Sequence, residues 1–193
     1  MPSVAEPVGH RIFFLPPPWP PSGGEALLSK DESRHALRAA RVAPGERVRL
    51  VDGEGREAEA EVLGAAVGLL EVRLVGIRET ERDDPFPRTL ALARLRSPAR
   101  MDWVIEKAVE LECRGIKIYE AERSLKGGPA AGEARAERWR ALACAAMKQS
   151  GRAWCPAVTH HASLAALLAG CAAGARVIFG DAAGAALADL PSL

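Results

Sequence analysis

TLALARLRSPARMDWVIEKAVELECRGIKIYEA, Thr89 to Ala121, decides the fold. TLALARL is an apolar run with the length and composition of a buried strand. DWVIEKAVELE repeats its apolar residues at helical period, and GIKIYEA is apolar and β-branched again. Strand, helix and strand in that order predict a parallel pair with a crossover helix. Within the helix, Met101, Val104, Ile105, Ala108 and Leu111 share one face, which should be buried. Trp103 falls on the opposite side with Lys107 and Glu110. A tryptophan there predicts a second contact surface. A local cation–π pair with Lys107, worth about 1 kcal/mol, is the alternative.

Toward the C-terminus the alternation continues. LKGGPAAG reads as a loop, with Gly127-Gly128-Pro129 as its turn, and EARAERWRALACAAMKQ as a long helix. SLAALLAG reads as a short helix and RVIFG, Arg176 to Gly180, as a final strand. Trp139, Leu142, Ala143 and Ala146 form the apolar stripe of the long helix, and Gly151 stands where a helix stop needs positive φ. His160 and His161 follow a further short strand.

Toward the N-terminus, RETERDDPFPR (Arg78–Arg88) is charged and broken by prolines, as a linker is. Before it the signals are mainly β. RIFFLP is a strand, PPPWPPSGG a stiff connector or a polyproline ligand, and RVRLV a strand. DGEG is a hairpin turn, REAEAEV an alternating strand, and LLEVRLVGI the next strand. Short strands at this spacing predict a small barrel. One helix interrupts them at SKDESRHALRAAR, where Ser29 and Glu32 have capping-box spacing. The predicted organisation is a barrel at residues 1–80, a linker at 81–88 and an α/β domain at 89–193.

Composition narrows the function. Of 193 residues, 48% are hydrophobic and 26% charged, which describes a globular chain with a core, and a net charge of +1 means that any polyanion site is local. The four cysteines have no metal spacing and read as free thiols. MPSVAEPVGHR has no secretory pattern, and Ala162 to Ala175 is too short and weakly apolar to span a bilayer. A cytoplasmic protein with no metal and no membrane partner is expected. No G-x-G-x-x-G or P-loop occurs. Arg34, Arg38 and Arg41 recur at i, i+4 and i+7 beside His35, a stripe that suits phosphates or is simply a solvated face. Gln149, Ser150 and Arg152 project from the end of the long helix, as a mounted site or as a helix C-cap.

The succession RIFFLP, RHALRAARVAPGERVRLVDGEG, ARMDWVIEKAVELECRGIKIYEAERS and ERWRALACAAMKQSGR-x-x-x-P resembles the bacterial methyltransferase family that modifies N3 of a uridine in small-subunit (16S) ribosomal RNA. The match runs from about His10 to Pro156. The resemblance implies a PUA-like RNA-binding β-barrel followed by a SPOUT domain, the knotted α/β fold that binds S-adenosylmethionine. It also implies a homodimer with active sites at the subunit interface, where Trp103 would pack. It marks Arg11, His35, Arg38 and Arg41 as RNA-binding and Gln149 and Arg152 as catalytic. The turn Phe179, Gly180, Asp181 corresponds to the first part of the cofactor pocket.

The sequence departs from that family in three places. The Gly-Pro-Glu-Gly-Gly loop and the Leu-Gly-x-Arg-Ile-Leu-Arg segment of the knot are absent, so a C-terminally incomplete SPOUT domain is expected. Such a domain should expose apolar surface around RVIFG. It should be inactive alone, an RNA-binding remnant. ELEC stands where Glu-Leu-Gly-Val is usual, and LRSPAR where a lysine is expected.

Overall fold

The computed structural model describes residues 11–82, 87–122, 129–181, 183 and 184. Its N-terminal half is a five-stranded sheet with α1 (Lys30–Arg34) lodged against it. The strands are β1 (Ile12–Phe14), β2 (Glu25–Leu27), β3 (Arg47–Val51), β4 (Arg56–Ala66) and β5 (Leu69–Glu79), in the order β1-β3-β4-β5-β2. β1 runs parallel to β3, and the other pairs are antiparallel. Both edges feed one core, Phe13 from β1 and Leu28 just after β2, with Ala36 from the helical segment between them. The helix therefore closes the gap that strand hydrogen bonds leave open.

DGEG makes the predicted hairpin, placing Val51 opposite Glu57. β4 alternates as its sequence requires, apart from Glu57, which is buried at 4% exposure. Its carboxylate takes Arg49 at 2.6 Å, Arg78 at 2.7 Å and the Thr80 hydroxyl at 2.7 Å, so the buried charge is fully compensated.

Ser29 caps α1 by accepting from the Glu32 amide at 3.3 Å, but only half of the capping box forms. The Glu32 side chain turns away and accepts from the Phe14 amide at 3.0 Å instead. After Arg34 the helix widens into a π turn, His35–Ala39, whose cap bond runs from the Ala40 amide to the His35 carbonyl. Arg41 then adopts φ +51°. The expected stripe of Arg34, Arg38 and Arg41 along one α-helix is thereby corrected: Arg34 ends α1, Arg38 lies in the π turn, and Arg41 lies past the helix end.

The C-terminal half has three parallel strands, β6 (Thr89–Ala93), β7 (Gly115–Tyr119) and β8 (Ala157–His161), in that order. α2 (Pro98–Glu110) crosses from β6 to β7, and α3 (Pro129–Gln149) from β7 to β8. α4 (Leu164–Ala169) follows, capped by Ser163. α3 begins four residues earlier than its sequence suggests, because Pro129 suits a first helical turn, where no amide is needed. His160 and His161 belong to β8 rather than following it.

RVIFG is not a strand. Residues 176–180 adopt no strand conformation and join no sheet among the described residues, and Val177, Ile178 and Phe179 are about half exposed or more. Its apolar content is right for a strand, but a strand exists only beside a hydrogen-bonding neighbour strand, and none lies beside it among the described residues.

The halves are packed together. Val51, Ile12 and Phe14 of the barrel join Met101, Ile105, Ala143 and Met147 in the second core. Gly53 accepts from the Cys155 amide at 2.9 Å, and the Gly55 amide donates to Ala153 at 3.1 Å. The Trp154 indole donates to the Thr80 carbonyl at 3.0 Å, with the Arg82 guanidinium 5.1 Å above its ring. The linker expected at 81–88 thus begins pinned to the other half, and residues 83–86 lie outside the described residues.

Candidate functional site

The turn that ends α3 is built as its sequence predicts. Gly151 takes φ +71°, a conformation that side chains resist, and the Ser150 hydroxyl donates to Ala146 at 2.8 Å and Met147 at 3.1 Å. Gln149 is exposed and lines a pocket of about 330 Å³ with Glu106 and Glu110 of α2 and Ala146 and Ser150 of α3.

Arg152 is mostly covered. Its guanidinium donates to the Glu110 carbonyl at 2.7 Å and pairs with Glu112. The arginine does cap a helix, then, but the helix is α2 rather than its own. Glu112 sits at φ +61°, the left-handed region that glycine accepts freely. It is the residue that replaces the expected glycine in ELEC, and its carboxylate now masks Arg152.

The cations of the barrel differ in availability. Arg11 pairs with Glu46, and Arg34 with Asp31 at 2.7 Å. Arg38, Arg41 and His35 are exposed, and no ion pair to either arginine is found among the described residues. His35 stands edge-on to Phe13 at 6.0 Å. Two exposed guanidiniums without an ion pair among the described residues are thus close in sequence on this segment, the local concentration of positive charge that a polyanion site would need in a chain of balanced net charge.

Of the remaining expected residues, Phe179 is 64% exposed and lines no described pocket. Asp181 accepts from the Ala183 amide at 2.8 Å. In this arrangement Phe179, Gly180 and Asp181 line neither described pocket, and one Asp181 carboxylate oxygen is engaged by its own turn. Trp103 is 60% exposed on α2, and Lys107 bonds Glu110 at 2.6–2.8 Å instead of lying over the indole.

Sequence reading missed a cluster at the carboxyl ends of the parallel strands, where α/β folds commonly place ligands. Glu120, just after β7, receives Arg94 at 2.7 Å, His160 at 3.1 Å and Arg135 at 3.4 Å on one oxygen. Burial alone would raise the Glu120 carboxyl, but the bonds from Arg94 and His160 outweigh it and hold it below the usual range. A carboxylate held in this way is a weak base at neutral pH, so the cluster ties strand ends together rather than moving protons. Burial likewise lowers His161, helped by Lys117 and His160, and pushes the Cys155 thiol up to about 12, which removes it as a nucleophile. Only the i-to-i+40 spacing of Glu120 and His160 could have signalled this cluster, and no local pattern carries that.

The comparisons agree with the two halves. A family model described as RNA methyltransferase PUA domain matches residues 28–75, and one described as RNA methyltransferase domain matches residues 82–193. Curated relatives named ribosomal RNA small subunit methyltransferase E, from Mycobacterium bovis and Mycobacterium tuberculosis, are 31% identical over 148 residues, covering 76% of this chain. The chain spans 56% of their length. A crystal structure of ribosomal RNA small subunit methyltransferase E from Neisseria gonorrhoeae, bound to S-adenosyl methionine, is 27% identical. It has a TM-score of 0.66 and covers 78% of this chain and 62% of that one. A Legionella pneumophila structure with bound cofactor SAM has a TM-score of 0.80 at 21% identity, over 93% of this chain and 74% of that one, a likeness of fold. With a PUA-like barrel leading into an α/β domain of the SPOUT type, the chain belongs to the ribosomal RNA small subunit methyltransferase E family of RNA methyltransferases.

Proposed function

We propose that the chain takes part in S-adenosylmethionine-dependent methylation of N3 of a uridine in 16S ribosomal RNA, acting in the cytoplasm as a homodimer. The observation that carries this is the pair of exposed guanidiniums, Arg38 and Arg41, without an ion pair among the described residues, on a barrel packed directly against an α/β domain of a methyltransferase family. Phosphates would meet the barrel, and a splayed base would be read beyond it. Uracil N3 becomes nucleophilic once its proton leaves, and the charge then spreads onto the flanking carbonyls, where an arginine stabilises it. For Arg152 to serve, it must exchange Glu112 for that carbonyl, while exposed Gln149 offers an amide to the base. S-adenosylmethionine would supply the methyl group, with Phe179 to Asp181 rearranged from the exposed segment seen here.

A second reading, RNA binding without chemistry, draws on that same exposure. Calorimetric titration of the chain with S-adenosylmethionine separates the two. Saturable heat near one ligand per chain supports the enzyme, and its absence from folded protein supports the RNA-binding remnant. RNA binding itself is tested by converting Arg38 and Arg41 to Ala. Binding should weaken, and the slope of log K against log salt should fall by about 1.4 for two phosphate contacts to a single strand. An unchanged slope removes these arginines from the interface.

A further inference from the structure

An ion pair between Glu32 and Lys148 links the two halves. Its side chains are 14% and 17% exposed, and its partners lie on α1 and on α3, one residue before Gln149. Glu32 does two things at once. One carboxylate oxygen takes the Lys148 ammonium, and the other accepts from the Phe14 amide of β1 at 3.0 Å. β1 is the edge of its sheet, so no strand lies on that side of Phe14 among the described residues. The carboxylate thus stands in for a missing neighbour strand while reaching across to the other domain. A short surface helix such as α1 has little of its own to fix its direction. Buried Ser33, bonded to Leu28 and Leu70, and Ala36 hold the segment to its own barrel, while the Glu32 side chain between β1 and α3 ties it to the other half; the segment carries His35, Arg38 and Arg41.

We propose that Glu32 is a positioning residue: by holding Lys148 and the Phe14 amide together, it fixes the arginine-bearing segment of the barrel at one orientation to the Gln149–Arg152 turn, so that an RNA strand gripped by one reaches the other in a single register. This rests on the RNA reading above. The local geometry is testable without it.

The test uses the full chain, Glu32→Gln, Lys148→Met and the double variant. Glu32→Gln keeps an acceptor for the Phe14 amide and loses the charge that holds Lys148. In residual dipolar couplings, the amides of 30–39 should fit the alignment of α3 in the unaltered chain and depart from it in each variant. The double variant should add nothing to the single ones, since both remove one interaction. For RNA, a photo-crosslinking side chain at Gln149 and a fluorescein-labelled 20-nucleotide uridine-containing hairpin are used. The unaltered background should cross-link mainly at one nucleotide. With Glu32→Gln the yield there should fall at least fivefold and spread to neighbours, while the affinity stays within twofold. Couplings that fit α3 equally well in all four proteins, or an unchanged cross-link map, would overturn the proposal. If the unaltered chain does not bind the hairpin, the RNA reading fails, and the couplings alone decide the role of Glu32.

Discussion

Gly55→Ala is the sharpest probe of how the two halves are joined. A Cβ at this position would lie 2.3 Å from Cζ2 and 2.5 Å from Cε2 of Trp154, and 3.0 Å from the Thr80 carbonyl oxygen. Carbon atoms in contact prefer about 3.5–4.0 Å, so something must move by more than 1 Å. Little is free to do so. The indole is tied to Thr80, and the Gly55 backbone is bonded on both sides, its amide to Ala153 and its carbonyl to the Thr80 amide at 2.8 Å. Gly55 also has φ +99°. The backbone contribution is about 1–2 kcal/mol, and overpacking adds about 1–3 kcal/mol. Gly68→Ala is the control, since φ there is +77° and no atom lies within 4 Å of its Cβ position. It should cost only the backbone part, about 1–2 kcal/mol. Urea unfolding followed by circular dichroism gives both differences. On a Trp154→Ala background, the cost of Gly55→Ala should fall most of the way to that of Gly68→Ala, the 3.0 Å approach to the Thr80 carbonyl oxygen being what remains. Equal costs for the two glycines in the unaltered chain would refute the packing argument.

Two further outcomes are expected. Glu57→Gln leaves Arg49 and Arg78 facing a neutral amide. Burial alone would raise the Glu57 carboxyl, yet Arg78, Thr80 and Arg49 bring it below the ordinary value of 4.5. A lowered folded value means that the stabilisation is complete above about pH 4.5 and is lost as the pH falls through that lower value. The variant should therefore be about 1–3 kcal/mol less stable at pH 7, with Arg78 at 71% exposure keeping the figure modest, and the gap should close in strong acid. A gap of the same size at both ends of a pH series of urea midpoints would contradict this. Trp103→Ala should shift a dimer toward monomer in sedimentation velocity at little cost to monomer stability, because the indole is mostly exposed. An unchanged dimer would place the interface elsewhere.

The sequence foretold the parts of the fold that are locally encoded. Period in MDWVIEKAVEL placed Met101, Ile105 and Ala108 inside, and alternation in REAEAEV placed Ala58, Ala60 and Val62 there. It failed where a residue's role depends on a distant partner. Leu111 completes the helical stripe on paper yet is exposed, because the helix has ended by then and turns through Glu112. RVIFG has a strand's composition and no strand beside it among the described residues. Glu57 reads as a solvent-facing residue until Arg49 and Arg78 arrive from two neighbouring strands. Glu32 reads as half of a capping box, a local role, because nothing near it in the chain announces Lys148. The same holds for the site. The turn at Gly151 was legible, being local, whereas Arg152 proved to be engaged by a different helix, and Arg11 by Glu46.

The strand pairings of the two halves differ in how much chain they must bring together, and that difference orders their assembly. In the barrel, Ala66 pairs with Leu69 across a tight turn, so the β4–β5 hairpin closes almost no loop. In the α/β half, Gly115 pairs with Ala157 only after the whole of α3 has been laid across the sheet. Long loops delay contact, so the hairpin should protect its amides from exchange well before β7 and β8 do. Since the barrel also leaves a ribosome first, Ile12, Phe14 and Val51 would wait as a finished surface on which α3 condenses. Pulse-labelled exchange during refolding would show this as early protection at Val62 and Val72 and late protection at Ile118 and Val158.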